Sequence, residues 1–138
     1  MELHQRSIWE DLMKGKEPLG LEECPFCNPT KDEEKLLVHE TRYWQIRHNK
    51  YPYNGLKNHL MTVPKRHVEV TQDLTEEEFA DLKNIEVFMH KYYSGENFFS
   101  FIRETNSGKS IKHIHYHFLP GVIYARAVEK MLDEQNIY

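Results

Sequence analysis

The sequence predicts an α+β domain in which short strands flank one long helix. Residues 113–119 alternate three histidines with Ile, Tyr and Phe, and this period of two is typical of a strand. Residues 75–94 place apolar side chains at helical spacing behind a capping box of Thr75 and Glu78, and Gly95 ends the helix. Shorter mixed runs predict further strands at residues 36–39, 43–48, 59–64 and 98–103, so the order indicates an antiparallel meander.

Length and composition limit the class of protein. The 138 residues fit a single domain, residues 1–138, which can bury a core without disulfide bonds. A net charge of −4 gives no overall field that would attract nucleic acid. No stretch approaches the run of about 18 apolar residues that a membrane span needs, and the first residues lack the apolar centre of a signal peptide. We therefore expect a cytoplasmic protein with neither a membrane nor a nucleic-acid partner.

Both ends of the chain are expected to be helical. Residues 1–23 form an N-terminal helix, ended by Gly15, and a connector, whereas residues 124–138 form the C-terminal helix. Apolar side chains expected on the inner face of the C-terminal helix are Ala125, Val128, Met131 and Leu132. Those expected on the core face of the long helix are Phe79, Leu82, Ile85, Phe88, Met89 and Tyr92. Residues 49–55, which contain Pro, Asn, Gly and two tyrosines, are expected to be a loop.

The only two cysteines, Cys24 and Cys27, form a Cys-Pro-Phe-Cys motif that can chelate one metal ion. A structural zinc takes four nitrogen or sulfur ligands, so two histidines from elsewhere in the chain would complete it. A thioredoxin-type redox pair is the alternative interpretation. No βαβ pattern surrounds the motif, which favours zinc.

The histidines of residues 113–119 share one face of the predicted strand, because side chains two apart point to the same side. A row of imidazoles suits nucleotidyl transfer: a neutral imidazole can attack phosphorus, and a neighbour can donate to the phosphate oxygens. Three-histidine ligation of one metal does not fit. Residues two apart on a strand are about 6.5 to 7 Å apart along the chain, so the outer two, His113 and His117, cannot share an ion.

A polar loop at residues 106–110 precedes the histidine stretch and ends in Gly-Lys-Ser. It is not a Walker loop, because that motif needs a glycine at position 103, where this chain has Arg103, and must open a helix. Its backbone N–H groups and hydroxyls can still bind phosphate, with Lys109 adding charge.

The His-φ-His-φ-His-φ-φ pattern, where φ is apolar or aromatic here, resembles the histidine triad (HIT) nucleotide hydrolases and transferases. Residues 59–67 are similar to a strand-to-helix segment of that family, and residues 51–54 to a loop of diadenosine tetraphosphate phosphorylases and hydrolases. The resemblance covers Cys24 to Leu119. It implies a five-stranded antiparallel sheet with two main helices, usually in a homodimer.

The resemblance also implies roles for individual residues. His115 would be the nucleophile that forms a nucleotidyl intermediate, and His117 would contact the phosphate oxygens. Residues that match substrate-binding positions are Asn49, near the ribose, and Asn106 and Ser110, at phosphate; Lys109 stands where many members have Gln. In zinc-containing members the ligands match Cys24, Cys27, His67 and His113. His59 receives no role beyond a structural one.

Three hypotheses of function follow. The first is an enzyme that cleaves a dinucleoside polyphosphate or a nucleoside phosphoramidate through His115, with water or phosphate as the second acceptor. The second is a non-catalytic nucleotide-binding or adaptor protein on the same fold. The third is a metal-binding or redox module centred on Cys24 and Cys27.

Overall fold

Five strands form one antiparallel sheet in a computed structural model that describes all 138 residues. The strands are β1 (Leu37–Glu40), β2 (Trp44–His48), β3 (Leu60–Pro64), β4 (Phe98–Phe101) and β5 (Tyr116–Pro120). Their order in the sheet is β1-β2-β3-β5-β4. The predicted α+β class is confirmed, but the simple meander is wrong, because β5 lies between β3 and β4. β3 pairs with β5 in the register Met61 opposite His117, which brings residues far apart in sequence onto neighbouring strands.

The helices are α1 (Arg6–Met13), α2 (Lys31–Glu34), α3 (Glu76–Tyr92) and α4 (Ala125–Glu134). Single 3₁₀ turns lie at Leu21–Glu23, Tyr53–Gly55 and Thr71–Asp73. α3 begins with the predicted capping box, in which Thr75 and Glu78 each bond the other's backbone N–H. α2 has a second capping box, Thr30 with Glu33, which the sequence analysis did not identify. No helix has both the length and the apolar character needed to cross a membrane.

The core lies between α3 and one face of the sheet. Fully buried side chains from both layers include Trp44, Ile46, Leu60, Ile85, Met89, Ile114 and Phe118. The prediction for α3 holds for Ile85 and Met89, whereas Leu82 and Phe88 are partly buried at the edge of the core. Phe79 and Tyr92 are exposed, so their assignment to the core was wrong. Their places are taken by Glu78 and Asp81, whose buried carboxylates bond backbone N–H groups and the side chains of Arg66 and Thr41.

The predicted core face of α4 is also wrong. No side chain of α4 is buried, and Val128 and Met131 are among the exposed apolar residues. The amphipathic pattern is present, but no element of a single chain covers it. The segment that leads into α4 is exposed as well, at Val122, Ile123 and Tyr124.

The histidine strand begins later than the sequence predicts. β5 starts at Tyr116, so His113 and His115 precede the ladder and only His117 lies within it. The reason is that the backbone donors here have other partners: Lys112 N–H bonds the Leu19 carbonyl, and Ile114 N–H bonds the Val68 carbonyl.

Candidate active site and metal cluster

Four side chains that could hold a metal ion lie together and are here called the metal cluster: Cys24, Cys27, His67 and His113. The cysteines lie on the turn after the first 3₁₀ segment, His67 follows β3, and His113 precedes β5. One potential ligand atom from each lies within 4.8 Å of all the others. His113 Nδ1 is 3.4 Å from both sulfur atoms, and His67 Nδ1 is 3.3 Å from Cys27 Sγ. A tetrahedral zinc separates its sulfur and nitrogen ligands by about 3.5 Å, so the arrangement fits a metal ion of this type.

The backbone fixes the direction in which His113 presents its lone pair. Its Nε2 lies 2.8 Å from the Pro64 carbonyl oxygen, which can only accept, so Nε2 carries the proton and donates. Nδ1 therefore has a free lone pair that faces the two thiols. A carbonyl on the far nitrogen is the usual support of a metal-binding histidine.

The thiol chemistry disfavours the redox interpretation. Burial, followed by the proximity of Cys24, raises the pKa of Cys27 to about 11. A redox-active or nucleophilic cysteine needs the opposite shift, towards the thiolate at neutral pH. The raised pKa keeps the Cys27 thiol protonated at neutral pH.

A second group of histidines lines a cavity beside the metal cluster, here called the histidine cavity. Its walls come from β2, β3, the loop after β2, the segment before β5 and α1. His115, His117, Asn49 and Ser110, four residues predicted to act on substrate, line it. The rings of His115 and His117 are 4.9 Å apart and nearly perpendicular, at 70°.

His115 presents a lone pair to the cavity. Its Nδ1 lies 2.7 Å from the His113 carbonyl oxygen, so Nδ1 carries the proton and Nε2 does not. Burial, with the charges of Arg103, Lys109 and Arg6, lowers the pKa of His115 to about 4. The ring is therefore neutral at pH 7 and has the form that a nucleophile requires.

His117 differs from His115 because its free ring nitrogen carries an N–H and not a lone pair. A relay of two hydrogen bonds, which starts at a backbone amide, fixes this protonation. The Tyr53 N–H lies 3.2 Å from His59 Nδ1, so that nitrogen accepts and His59 Nε2 carries the proton. His59 Nε2 is 2.8 Å from His117 Nδ1 and donates to it. Neutral His117 consequently holds its proton on Nε2, which is buried and has no partner within the protein.

Both members of this relay remain neutral. Burial is the main cause that lowers the pKa of His59 to about 3, and it also holds the pKa of His117 well below its usual value. The cavity is thus lined by one imidazole with a free lone pair, His115, and one whose N–H is buried without a partner, His117. Such a pair can attack an electrophile at one atom and stabilise negative charge at another.

The side chains of the loop at residues 106–110 lie on two surfaces. Ser110 lines the histidine cavity, whereas Asn106 and Lys109 lie outside it. Gly108 has a φ of +80° and lies against Arg103, where an added Cβ would be 3.0 Å from Nε, so the turn favours glycine. Ser110 faces the cavity and accepts a hydrogen bond from Trp9 Nε1 at 3.0 Å, which leaves its own O–H free to donate.

Asn106 and Lys109 lie outside the cavity. Lys109 is buried, and its Nζ donates to the Glu69 carbonyl at 2.6 Å. The Asn106 amide donates to the Glu69 carboxylate at 3.0 Å. Their predicted role in phosphate binding stays a prediction, and the structure gives both side chains other partners.

Sequence reasoning missed several residues that line or support the cavity. His59 was assigned a structural role, and only its position beside His117 reveals the relay. Arg6 and Trp9, from α1, and Arg103 also line the cavity. The signal for Arg103 was its place before the polar loop, but α1 carried no motif that would have pointed to the cavity.

The sheet order and the histidine cavity together define a histidine triad protein. Residues 23–131 match the family model described as "Scavenger mRNA decapping enzyme C-term binding". The chain belongs to this family and, through it, to the histidine triad proteins.

Three known proteins illustrate what this chain is similar to. A bis(5'-adenosyl)-triphosphatase of Dictyostelium discoideum is 33% identical over 70 residues, which are 47% of this chain and 47% of that protein. The match thus spans about half the length of that relative. A diadenosine triphosphate hydrolase of Plasmodium falciparum, solved with cyclomarin A, is 25% identical at a TM-score of 0.54, covering 75% of this chain and 73% of its own. A HIT family hydrolase of Legionella pneumophila shares the fold, with 22% identity, a TM-score of 0.55 and coverage of 72% and 94%.

Proposed function

We propose that the protein is a nucleotide hydrolase or nucleotidyltransferase that works through a covalent nucleotidyl-His115 intermediate. The observation that carries the proposal is the opposite protonation of two neighbouring imidazoles that line one cavity, His115 with a free lone pair and His117 with an N–H that has no partner within the protein. The bis(5'-adenosyl)-triphosphatase relative and the hydrolase neighbours support the same class of reaction.

In the first step, the lone pair of His115 Nε2 forms a bond to phosphorus, and the bond from phosphorus to the leaving oxygen breaks. The attacking ring becomes cationic and keeps its Nδ1–H on the His113 carbonyl, which stabilises the new charge. In the second step, water or another acceptor bonds to the same phosphorus and His115 leaves as a neutral ring. A proton from water is released in this step.

The state of His117 favours a polyphosphate leaving group. A neutral His117 donates a hydrogen bond, but it has no spare proton to give away, since its other nitrogen accepts from His59. A leaving phosphate tolerates this, because its oxygen has a pKa near about 6 and departs as an anion. An amine leaving group needs a full proton. We therefore propose a dinucleoside polyphosphate as substrate, ahead of a phosphoramidate.

Asn49 and Ser110 are the proposed substrate-binding residues within the cavity, with the free Ser110 O–H as a phosphate donor. Asn49 is buried, and its Oδ1 accepts from the Tyr51 N–H at 2.8 Å, which fixes the start of the tyrosine loop. The phosphate-binding role predicted for Asn106 and Lys109 stays a proposal; in this structure both side chains bond Glu69 and hold the loop behind Ser110.

Intact-protein mass spectrometry after brief mixing with diadenosine triphosphate tests the proposal. The expected result is a transient gain of one adenylyl group in the wild type and in His39→Ala, a control at an exposed histidine of β1, and no gain in His115→Ala. Product formation that persists in His115→Ala contradicts the mechanism. Nucleotide binding without turnover in the wild type supports the adaptor hypothesis instead.

We propose that the metal cluster holds one structural zinc through Cys24, Cys27, His67 and His113. The donor set, its spacing and the lone pair of His113 all suit zinc. When bound, zinc would cross-link the N-terminal connector to the segments that flank β3 and β5. Such a site needs two reduced thiols, which agrees with the predicted cytoplasmic location; both cysteines are free.

The predicted homodimer also remains a proposal. β4 is an edge strand, and α4 exposes an apolar face that includes Val128 and Met131. A second chain would cover both. Light scattering after size exclusion should give twice the chain mass, and Met131→Glu should shift it towards a monomer. A wild-type monomer at micromolar concentration contradicts this proposal.

A further inference from the structure

The first residues of the chain lie outside the family match, which begins at residue 23, yet they form one wall of the histidine cavity. α1 is held there at two points. The His4 N–H donates to the Lys50 carbonyl at 2.9 Å, and the Trp9 indole N–H donates to Ser110 Oγ. The Trp9 ring also packs on Tyr51, with centroids 5.0 Å apart. These contacts fix the position of Arg6, on the first turn of α1.

Two arginines lie near His117, each against an aromatic ring that neighbours it. The Arg6 guanidinium is 4.9 Å from the centre of the Tyr53 ring, and the Arg103 guanidinium is 5.5 Å from that of Phe101. Tyr53 and Phe101 both stack on His117, at 5.6 and 4.6 Å. Tyr53 and Phe101 are themselves 6.4 Å apart, so both cations are held on aromatic rings next to the same imidazole.

These charges are largely uncommitted. Arg103 forms no ion pair, and Arg6 has only a 3.8 Å contact with Glu10 on the same helix face. Two other cations line the cavity. Arg47 donates to the Glu33 carbonyl at 2.8 Å, and Lys50 has only a 4.0 Å contact with the Glu33 carboxylate. Both free guanidinium groups line the histidine cavity, so they are available to an anion there.

We propose that Arg6 and Arg103 bind the phosphate next to the one that His115 attacks, and that Arg6 determines the preference for a polyphosphate chain over a single phosphate. The inference rests on the proposed function. A leaving polyphosphate gains negative charge beside His117, and guanidinium groups bind phosphate oxygens through paired N–H donors. Selectivity for chain length thus comes from a segment that the family domain does not include.

Calorimetry with two non-reacting ligands tests this directly. AMP supplies one phosphate, and α,β-methylene adenosine diphosphate supplies a second that cannot be cleaved. The wild type should bind the diphosphate more tightly, and Arg6→Gln should weaken the diphosphate about tenfold but AMP less than about twofold. Arg42→Gln is the matched control, since Arg42 is an exposed arginine 5.2 Å from the Tyr43 ring and away from the cavity.

Several outcomes would overturn the proposal: equal weakening of both ligands, unchanged affinity for the diphosphate, or a wild type with no preference for it. Because neither ligand reacts, these affinities are independent of the covalent step. Absence of a His115 adduct alongside a preserved effect of Arg6→Gln would therefore reject the proposed mechanism while retaining the phosphate-binding role of Arg6.

Discussion

The metal cluster and the histidine cavity use the same side chain on nearly adjacent residues, but they differ in which ring nitrogen faces inward. In the cluster, His113 gives its Nε2 proton to the Pro64 carbonyl and turns the Nδ1 lone pair towards two sulfurs. In the cavity, His115 gives its Nδ1 proton to the His113 carbonyl and turns the Nε2 lone pair towards open space. In the metal cluster, four potential ligand atoms converge on one point, whereas the histidine cavity leaves room for a reactant.

The difference shows that the backbone, rather than the histidine itself, assigns the role. A carbonyl on one nitrogen decides which lone pair is free, and the neighbouring side chains decide whether it meets a ligand set or a cavity. The two sites are also linked, because His113 supplies a side chain to one and its carbonyl to the other. The following four expected results test this comparison, from the largest effect to the smallest.

Removing the His115 imidazole, whose lone pair faces the cavity, should have the largest effect on activity. His115→Ala removes the proposed nucleophile and should reduce kcat for diadenosine triphosphate by at least about 10⁴-fold, as expected for a covalent catalyst. Its melting temperature should stay within a few degrees of the wild type. Steady-state kinetics and thermal unfolding measure both, and a residual rate within tenfold of the wild type would contradict the assignment.

Opening the metal cluster should primarily affect stability. Cys24→Ser should lower the melting temperature by about 10 °C or more, because the binding energy of a structural ion is folding energy. A strong chelator should destabilise the wild type in the same way and have no further effect on the variant. Elemental analysis of untreated protein should find one zinc per chain; well under one would reject the zinc assignment.

Removing the relay behind His117 should have an intermediate effect. His59→Gln leaves the cavity lining largely intact but frees His117 to change tautomer, so kcat should fall about 10- to 100-fold with little change in KM. A ¹⁵N spectrum of the imidazoles should show the proton of His117 moving between its two nitrogens. An unchanged tautomer, or a loss confined to KM, would argue against the relay.

The smallest effect concerns pH and stability. His59 has a pKa near 3 in the folded chain, against about 6.5 when unfolded, so only the unfolded chain takes up a proton between these values. The burial of neutral His59 therefore does not lower stability above pH 6.5. Below that pH, the free energy of unfolding decreases by about 1.4 kcal/mol per pH unit because of this residue. Urea unfolding at pH 7, 6 and 5 should give a shallower decline in the free energy of unfolding for His59→Gln than for the wild type.

Local signals in the sequence predicted much of the fold. The capping box of Thr75 and Glu78 and the strand before Pro64 depend on neighbouring residues, and both are confirmed. The insertion of β5 between β3 and β4 depends on pairing across the chain, which no local pattern records. The exposure of α4 is of the same kind, since an amphipathic pattern does not state what covers it.

The candidate site, too, was predicted only in part from the sequence. The sequence pattern and the family resemblance named the four residues of the metal cluster, and these do converge, although zinc binding itself stays a prediction. The role of His59 could not be predicted, because it depends on which nitrogen the Tyr53 N–H reaches. Arg6 could not be predicted either, since it reaches the cavity only through the docking of α1.

The weak attachment of α1 has a consequence for kinetics. No side chain of the helix is fully buried, and it is held by the hydrogen bonds of His4, before its first turn, and of Trp9, near its middle. It can therefore detach at a small fraction of the global unfolding free energy. We expect the amide protons of residues 6–13 to exchange with solvent far faster than those of α3. Passage of the proposed dinucleotide substrate into and out of the cavity would then depend on this local opening.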